Sequence, residues 1–177
     1  MLETKDLILK SGEEKDWRDL YNYFWLREET FRYMFKTPCR TVDGVKMRTN
    51  AYVNMHKEVK TEFFVYEKST KTAIGIAGIK EMQPGIFTVT DIAVGPDYWG
   101  RGYGKQILQA LIKLTFEKLQ GKELLYDCFR QNEASKGLAL SCGFAYTHSE
   151  EAELLKDDEK VILDYYKLEA QNAGKVL

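Results

Sequence analysis

The sequence predicts an α/β fold in which a mixed, mostly antiparallel sheet is flanked by helices. Three observations carry that expectation. Short apolar runs at 63–66, 73–79 and 86–94, separated by turn residues, read as a three-strand antiparallel meander. Helical and strand-like segments then alternate toward the end of the chain, which calls for crossovers within the same sheet. A length of 177 residues, with 44% apolar and 30% charged side chains, suits one ordinary globular unit that can bury a core. A single domain is expected over residues 1–169, with 170–177 as a loose C-terminal tail.

The elements follow in chain order. Leu7 to Lys10 is an apolar run suited to a first strand. From Glu14 to Phe24, the residues Trp17, Leu20, Tyr21 and Phe24 recur at helical spacing. A second short helix is expected from Glu28 to Phe35. A third is expected over 42–59, where Val45, Met47, Tyr52, Val53 and Met55 are its apolar positions. In the meander, Lys68-Ser69-Thr70-Lys71 and Gln83-Pro84-Gly85 supply turns. A helix from Tyr103 to Leu119 buries Ile107, Leu108, Leu111 and Leu114, with Gly121 as its left-handed cap. Leu124 to Phe129 is a strand, Asn132 to Ser141 a helix, and Gly143-Phe144 a turn into a further strand. Val161 to Leu168, rich in β-branched and aromatic residues, is the last strand.

Composition excludes several classes. Lys and Arg total 26 against 27 Asp and Glu, a balance that argues against a nucleic-acid or membrane-surface binder. No apolar run approaches the roughly 18 to 20 residues of a membrane span. The charged start, Met1 to Asp6, lacks the apolar core of a signal peptide. Cys39, Cys128 and Cys142 are odd in number and widely spaced, and read as reduced thiols of a cytoplasmic protein. The two histidines, His56 and His148, lie far from each other and from any cysteine pair, so no metal site is expected.

The most informative stretch runs from Asp91 to Gln106, with Gly100, Gly102 and Gly104 between a strand and a helix. Glycine lets backbone approach an anion closely, and the first N–H groups of the helix point at it. Arg101 and Lys105 add positive charge. The glycines alone fit equally a bound pyrophosphate or an unoccupied turn. A Walker loop is excluded because Trp99 stands where its first glycine belongs and Gln106 replaces Ser/Thr. The dinucleotide fingerprint fails because Lys105, Gln106 and Ile107 follow Gly104, behind an antiparallel meander.

Three ordered blocks resemble the GNAT superfamily of acyl-CoA-dependent N-acyltransferases. Ile92-Ala-Val94, Pro96 and Trp99-Gly-Arg-Gly102-Tyr-Gly104 resemble its strand and Q/R-x-x-G-x-G/A loop, with Trp99 in the Gln/Arg place. Asn132-Glu-Ala-Ser135 followed by Gly143-Phe144 resembles its N-x-x-S…GF segment. Thr4 to Lys10 and Thr30-Phe-Arg-Tyr33-Met34 resemble segments of the branch that acetylates ribosomal proteins. The resemblance spans residues 4 to about 168 and implies a GNAT-like fold.

The resemblance also implies roles. Backbone from Gly100 through Arg101, Gly102, Tyr103 and Gly104 to Lys105 would bind the pyrophosphate of acetyl-CoA. Ala93 and Val94 would meet the pantetheine arm, and a Val94 or Gly95 N–H would polarise the thioester carbonyl. Asn132 would contact the cofactor arm, cap its helix, or do both. An acceptor amine near pKa 10.4 must lose a proton, so a carboxylate base is needed: Glu153, Asp91 or Glu67. The tyrosine that many members carry seven residues after the asparagine is Ala139 here; the ribosomal branch suggests Ser135 as the hydroxyl that protonates the departing thiolate, though Ser135 fits equally a second hydrogen bond at the helix start, and a thiolate can leave unassisted. The acceptor would be a primary amine, on a small molecule or a peptide N-terminus; the six acids between Ser149 and Glu159 read as a solvated turn or, if the hairpin borders the pocket, as a preference for a cationic amine. A CoA-binding module without turnover is the alternative, and monomer and homodimer both stay open.

Overall fold

The computed structural model describes residues 1–154 and 159–174. Strands β1 (Leu2–Glu3), β2 (Leu7–Lys10), β3 (Glu62–Glu67), β4 (Ala73–Gln83), β5 (Ile86–Val94), β6 (Glu123–Phe129), β7 (Ala145–Leu154) and β8 (Glu159–Glu169) form one sheet. Their spatial order is β1-β2-β3-β4-β5-β6-β8-β7. Every adjacent pair is antiparallel except β5 and β6. The expected mixed α/β fold is therefore the one observed.

Side-chain alternation along the central strands splits the interior in two. Phe63 and Val65 of β3 join Ile74, Ala77 and Ile79 of β4 on the face covered by α4 (Tyr103–Lys113) and α5 (Glu133–Ser141). Phe64 and Tyr66 join Ile76 on the opposite face, under α1 (Trp17–Leu20), α2 (Glu28–Phe31) and α3 (Val42–Glu58). There Phe24, Trp25 and Phe31 are fully buried, with ring centroids 4.7 to 6.1 Å apart. The Trp25 indole donates to Thr49 Oγ1 at 3.2 Å, so its one polar atom is satisfied.

Several expectations are corrected. The first helix is composite: a 3₁₀ turn at Glu14–Asp16, then α1, then a π turn at Tyr21–Trp25. The second ends at Phe31 rather than Phe35. Strand β6 begins one residue earlier than expected, at Glu123, and β4 runs to Gln83, its last four residues being exposed and mostly polar, which hides the alternation. α4 passes into a π turn at Leu114–Lys118. Gly121 is not the left-handed cap, because Gln120 takes that conformation at φ 54°. Gly121 instead packs closely: a Cβ there would fall 2.8 Å from Thr115 Cγ2. Residues 170–173 of the expected tail form a helical turn, α6 (Ala170–Ala173), with Ala173 buried, while 175–177 lie outside the described residues. Among the described residues no helix is long and apolar enough to cross a membrane.

His56 on α3 fixes the entry to this core. Its Nδ1 accepts the Gly12 N–H at 3.0 Å, and its Nε2 is buried without a partner among the described residues. Burial pushes its pKa down to about 4. The unfolded chain therefore binds a proton near pH 6.5 that the folded chain refuses until about pH 4. His56 should cost stability progressively as pH falls through that window, by roughly 2 to 3 kcal/mol at its foot. Urea unfolding of wild type and His56→Gln at pH 7 and pH 4 checks this: the difference between them should shift in favour of the variant on acidification.

Candidate active site

Parallel pairing of β5 with β6 covers Ile86↔Glu123, Phe87↔Leu124 and Thr88↔Leu125, and then stops while both strands continue. The strands splay, and a cleft of about 840 Å³ opens between them. It is lined by Val89 to Val94 of β5, Tyr126 to Phe129 of β6, the glycine loop, the start of α5 and the segment after α2.

The backbone at the end of β5 is divided by the ladder. The Gly95 N–H donates to Ile74 O at 2.8 Å, so it is committed to β4 and does not face the cleft. Alternation along an antiparallel ladder then turns the groups of Val94, opposite Gly75, into the gap, and those of Ala93 toward Ile76. The Trp99 indole N–H takes the Val94 carbonyl at 2.8 Å. The unusual residue in the Gln/Arg place thus ties the loop to the strand end and leaves the Val94 N–H facing the cleft.

Gly100 and Gly102 have φ of 74° and 75°, and a Cβ on either would meet open space. Gly102 caps α4 without any side-chain bond, so the first N–H groups of the helix have no side-chain partner at the cap. That open cradle, with exposed Lys105 beside it, fits a pyrophosphate. Gly104 is helical and would bring its Cβ 3.4 Å from Leu138 Cδ2, an ordinary contact. The Arg101 side chain takes partners of its own. Its guanidinium bonds Glu67 at 3.1 Å and the Asp97 carbonyl at 2.9 Å.

α5 closes the other arm. Asn132 Oδ1 accepts the Ser135 N–H at 3.1 Å, a helix cap that leaves the amide NH₂ beside the cleft. Ser135 Oγ lies 2.6 Å from the Tyr126 hydroxyl. Burial pushes that phenol well above its ordinary value. A tyrosine hydroxyl is thus present at the cleft beside Ser135, contributed by β6 rather than by position 139. The sequence signal was weak: Tyr126 shares a strand face with Leu124 and Cys128.

On the acceptor side, Asp91 is buried and lines the cleft, and Lys36 Nζ holds both its oxygens at 2.5 and 2.7 Å. Burial raises the Asp91 carboxyl and Lys36 pulls it back. Asp127 faces the cleft and forms no ion pair among the described residues. It is open to the cavity yet enclosed enough that burial raises its carboxyl too. Phe35 and Tyr33 pack edge-on against Phe129, with centroids 5.2 and 6.4 Å away, and make the wall beside it.

Two other candidates lie elsewhere. Glu67 is buried outside the cleft, where the bond from the Tyr103 hydroxyl at 2.7 Å, above all, holds its carboxyl below the usual range. Glu153 is exposed on β7 opposite Lys160, one face over from the strand positions that continue the Asp127 side of the sheet. Of the acidic hairpin, Glu150 reaches His148 at 3.3 Å and Glu151 reaches Lys160 at 2.5 Å. Asp157 and Asp158 lie outside the described residues.

A family profile described as the acetyltransferase (GNAT) domain matches residues 6–145. The chain belongs to the GNAT acetyltransferase family. No curated protein matches the sequence significantly. Among solved structures, a GNAT-family acetyltransferase from Bacillus anthracis shares the fold with a TM-score of 0.82 at 16% identity, over 96% of this chain and 98% of that one. A protein assigned as a ribosomal-protein-serine acetyltransferase from Vibrio cholerae gives 0.77 at 22% identity, over 95% and 96%. A spermidine N-acetyltransferase from Vibrio cholerae, in complex with CoA and spermine, gives 0.76 at 18% identity, over 95% and 98%.

The GNAT loop geometry separates its glycines. Gly102→Val forces a branched side chain into the left-handed region and into the cradle, whereas Gly104→Val meets only Leu138. Acetyl-CoA should raise the Tm of wild type, and Gly102→Val should lose at least about tenfold in affinity by calorimetry, well beyond the loss for Gly104→Val. Equal affinity in the Gly102 variant would detach the loop from phosphate binding.

Proposed function

We propose that this GNAT domain transfers an acetyl group from acetyl-CoA to a primary amine by direct attack in a ternary complex. The observation that carries the reading is the splay of β5 from β6, with a glycine cradle at its mouth and carboxylates on its acceptor side. Acetyl-CoA supplies the activated acyl thioester. Backbone N–H groups at the start of α4 and Lys105 hold its phosphates, and the Val94 N–H polarises the carbonyl. Asn132 offers its amide NH₂ to the arm. Ser135 donates a proton to the departing sulfur and is resupplied by Tyr126. Asp91 positions rather than deprotonates, because Lys36 occupies both its oxygens. The three free cysteines are buried thiols, which supports a cytoplasmic enzyme.

The acceptor is a cationic amine. Asp127, unpaired among the described residues, stands in a wall of aromatic rings, a setting that attracts an ammonium by charge and by ring faces. The spermidine acetyltransferase supports this class through its fold alone. Thiol release should be measured with acetyl-CoA and a panel of spermidine, a lysine-rich peptide, an aminoglycoside and neutral amines. Cationic acceptors should be turned over fastest. Asp127→Asn should raise their KM by about tenfold while leaving the KM for acetyl-CoA nearly unchanged. Binding of acetyl-CoA without thiol release to any acceptor would leave a CoA-binding module in place of an enzyme.

A further inference from the structure

A second buried carboxylate stands behind the acceptor side of the cleft. Glu62 opens β3 and faces Gly78 on β4, and Gly78 in turn faces Asp91 on β5. The three form one row beneath α1–α3, and its middle member has no side chain. A Cβ at Gly78 would fall 2.0 Å from Glu62 Oε2, so only glycine lets the carboxylate lie across β4. There the Thr90 hydroxyl donates to Glu62 Oε1 at 2.6 Å. Thr90 is the extra residue of a bulge: Gly78 pairs with Asp91 and Ile79 with Val89. The bulge puts Thr90 between the buried acid and the cleft it lines.

Glu62 and Asp91 differ in their partners. Lys36 holds both Asp91 oxygens, whereas Glu62 forms no ion pair among the described residues. The titratable groups facing Glu62 are Asp91, Lys36 and, from α3, Tyr52. Burial above all pushes its carboxyl up to about 7; the Thr90 bond and Lys36 oppose this, and Asp91 adds to it. An acid of that strength is ready to accept a proton at neutral pH.

We propose that Glu62 takes the proton of the incoming amine through the Thr90 hydroxyl. The proposal rests on the amine-acetyltransferase reading and names its base. The acceptor arrives as an ammonium. One proton passes to Thr90 Oγ1 as Thr90 hands its own to Glu62, leaving a neutral amine. The N–C bond to the acetyl carbon then forms as the C–S bond breaks. The nitrogen's second proton balances the one that leaves with sulfur as the free thiol, and Glu62 returns its proton to solvent. Thr90 meets the substrate; Glu62 acts through it.

The test uses the full chain, acetyl-CoA and the best acceptor from spermidine, lysine-rich peptide and aminoglycoside. Wild-type kcat/KM should show an ionisation near pH 7 in addition to that of the amine. Glu62→Gln keeps the size and the acceptor atom; it should lower kcat about 100-fold and lose that ionisation, with the KM for acetyl-CoA within twofold. Thr90→Val should do the same, and Thr90→Ser should restore turnover. Because a carboxyl raised from 4.5 to about 7 costs the fold stability progressively between those values, the Tm of Glu62→Gln relative to wild type should rise between pH 5 and pH 8. Turnover within threefold of wild type and an unchanged ionisation in Glu62→Gln would overturn the relay while leaving the acetyltransferase reading intact. A wild type that acetylates none of the panel would remove that reading and the relay with it. Should Glu62→Gln not fold, the Thr90 pair decides by the same criteria.

Discussion

Everything functional in this chain depends on one broken ladder. After Thr88 and Leu125 the parallel strands β5 and β6 go on without pairing each other, and buried backbone groups cannot be left without partners. The chain satisfies part of the gap itself. Trp99 reaches back to the Val94 carbonyl, Asn132 donates its N–H to Phe129, and the Arg130 N–H pairs across to Ile162 on β8. Among the groups that face the gap are the Val94 N–H, those of Ile92 two residues earlier, and the first turn of α4. An extended ligand with an acceptor carbonyl at one end and phosphates at the other completes what the sheet lacks. The cleft is therefore a consequence of strand geometry, and the side chains around it specialise it.

The large-scale fold was legible because periodicity is a local signal. The meander, the stripe Ile107-Leu108-Leu111 and the Asn132 cap of α5 are written within a few residues of where they act. The glycine loop was legible for the same reason, down to the exposed cradle at Gly100 and Gly102. Reading failed where one role could be filled by more than one residue type. Gln120, not Gly121, takes the left-handed turn, since the glycine was required by the closeness of Thr115. Arg101 resembled a phosphate ligand, yet it closes on Glu67, 34 positions away. Pairings of that kind leave no trace in spacing: Lys36 with Asp91 and Glu62 with Thr90 join residues 55 and 28 positions apart. The acidic hairpin drew attention as a charge run, but none of its described members lines the cleft, whereas Asp91 and Asp127, a lone acid between Tyr126 and Cys128, do.

Buried charge on the α1–α3 face shows how the fold distributes a cost. Hydrophobic side chains at 62 and 91 would remove two desolvation penalties from the middle of the sheet. The chain instead keeps both acids and gives them unlike surroundings. Asp91 receives a cation with good geometry from a loop whose other residues, Tyr33 and Phe35, form the acceptor wall. Glu62 receives a single hydroxyl. A merely structural pair of acids would gain from sharing Lys36 or from lying apart, and this row does neither.

The charges are arranged so that Asp91 and Lys36 act on Glu62 in opposite directions. Asp91 raises its carboxyl and Lys36 lowers it, and burial, the largest influence, raises it. Lys36 alone would drag a neighbouring carboxylate down into the range where it cannot hold a proton at neutral pH. Asp91 alone would leave two like charges side by side and keep one of them permanently protonated. Both act on Glu62 less than burial and the Thr90 bond do, and those two features are fixed by the missing side chain at Gly78 and the bulge opposite it. Backbone geometry in three adjacent strands thereby sets the strength of a buried acid that meets the cleft through Thr90.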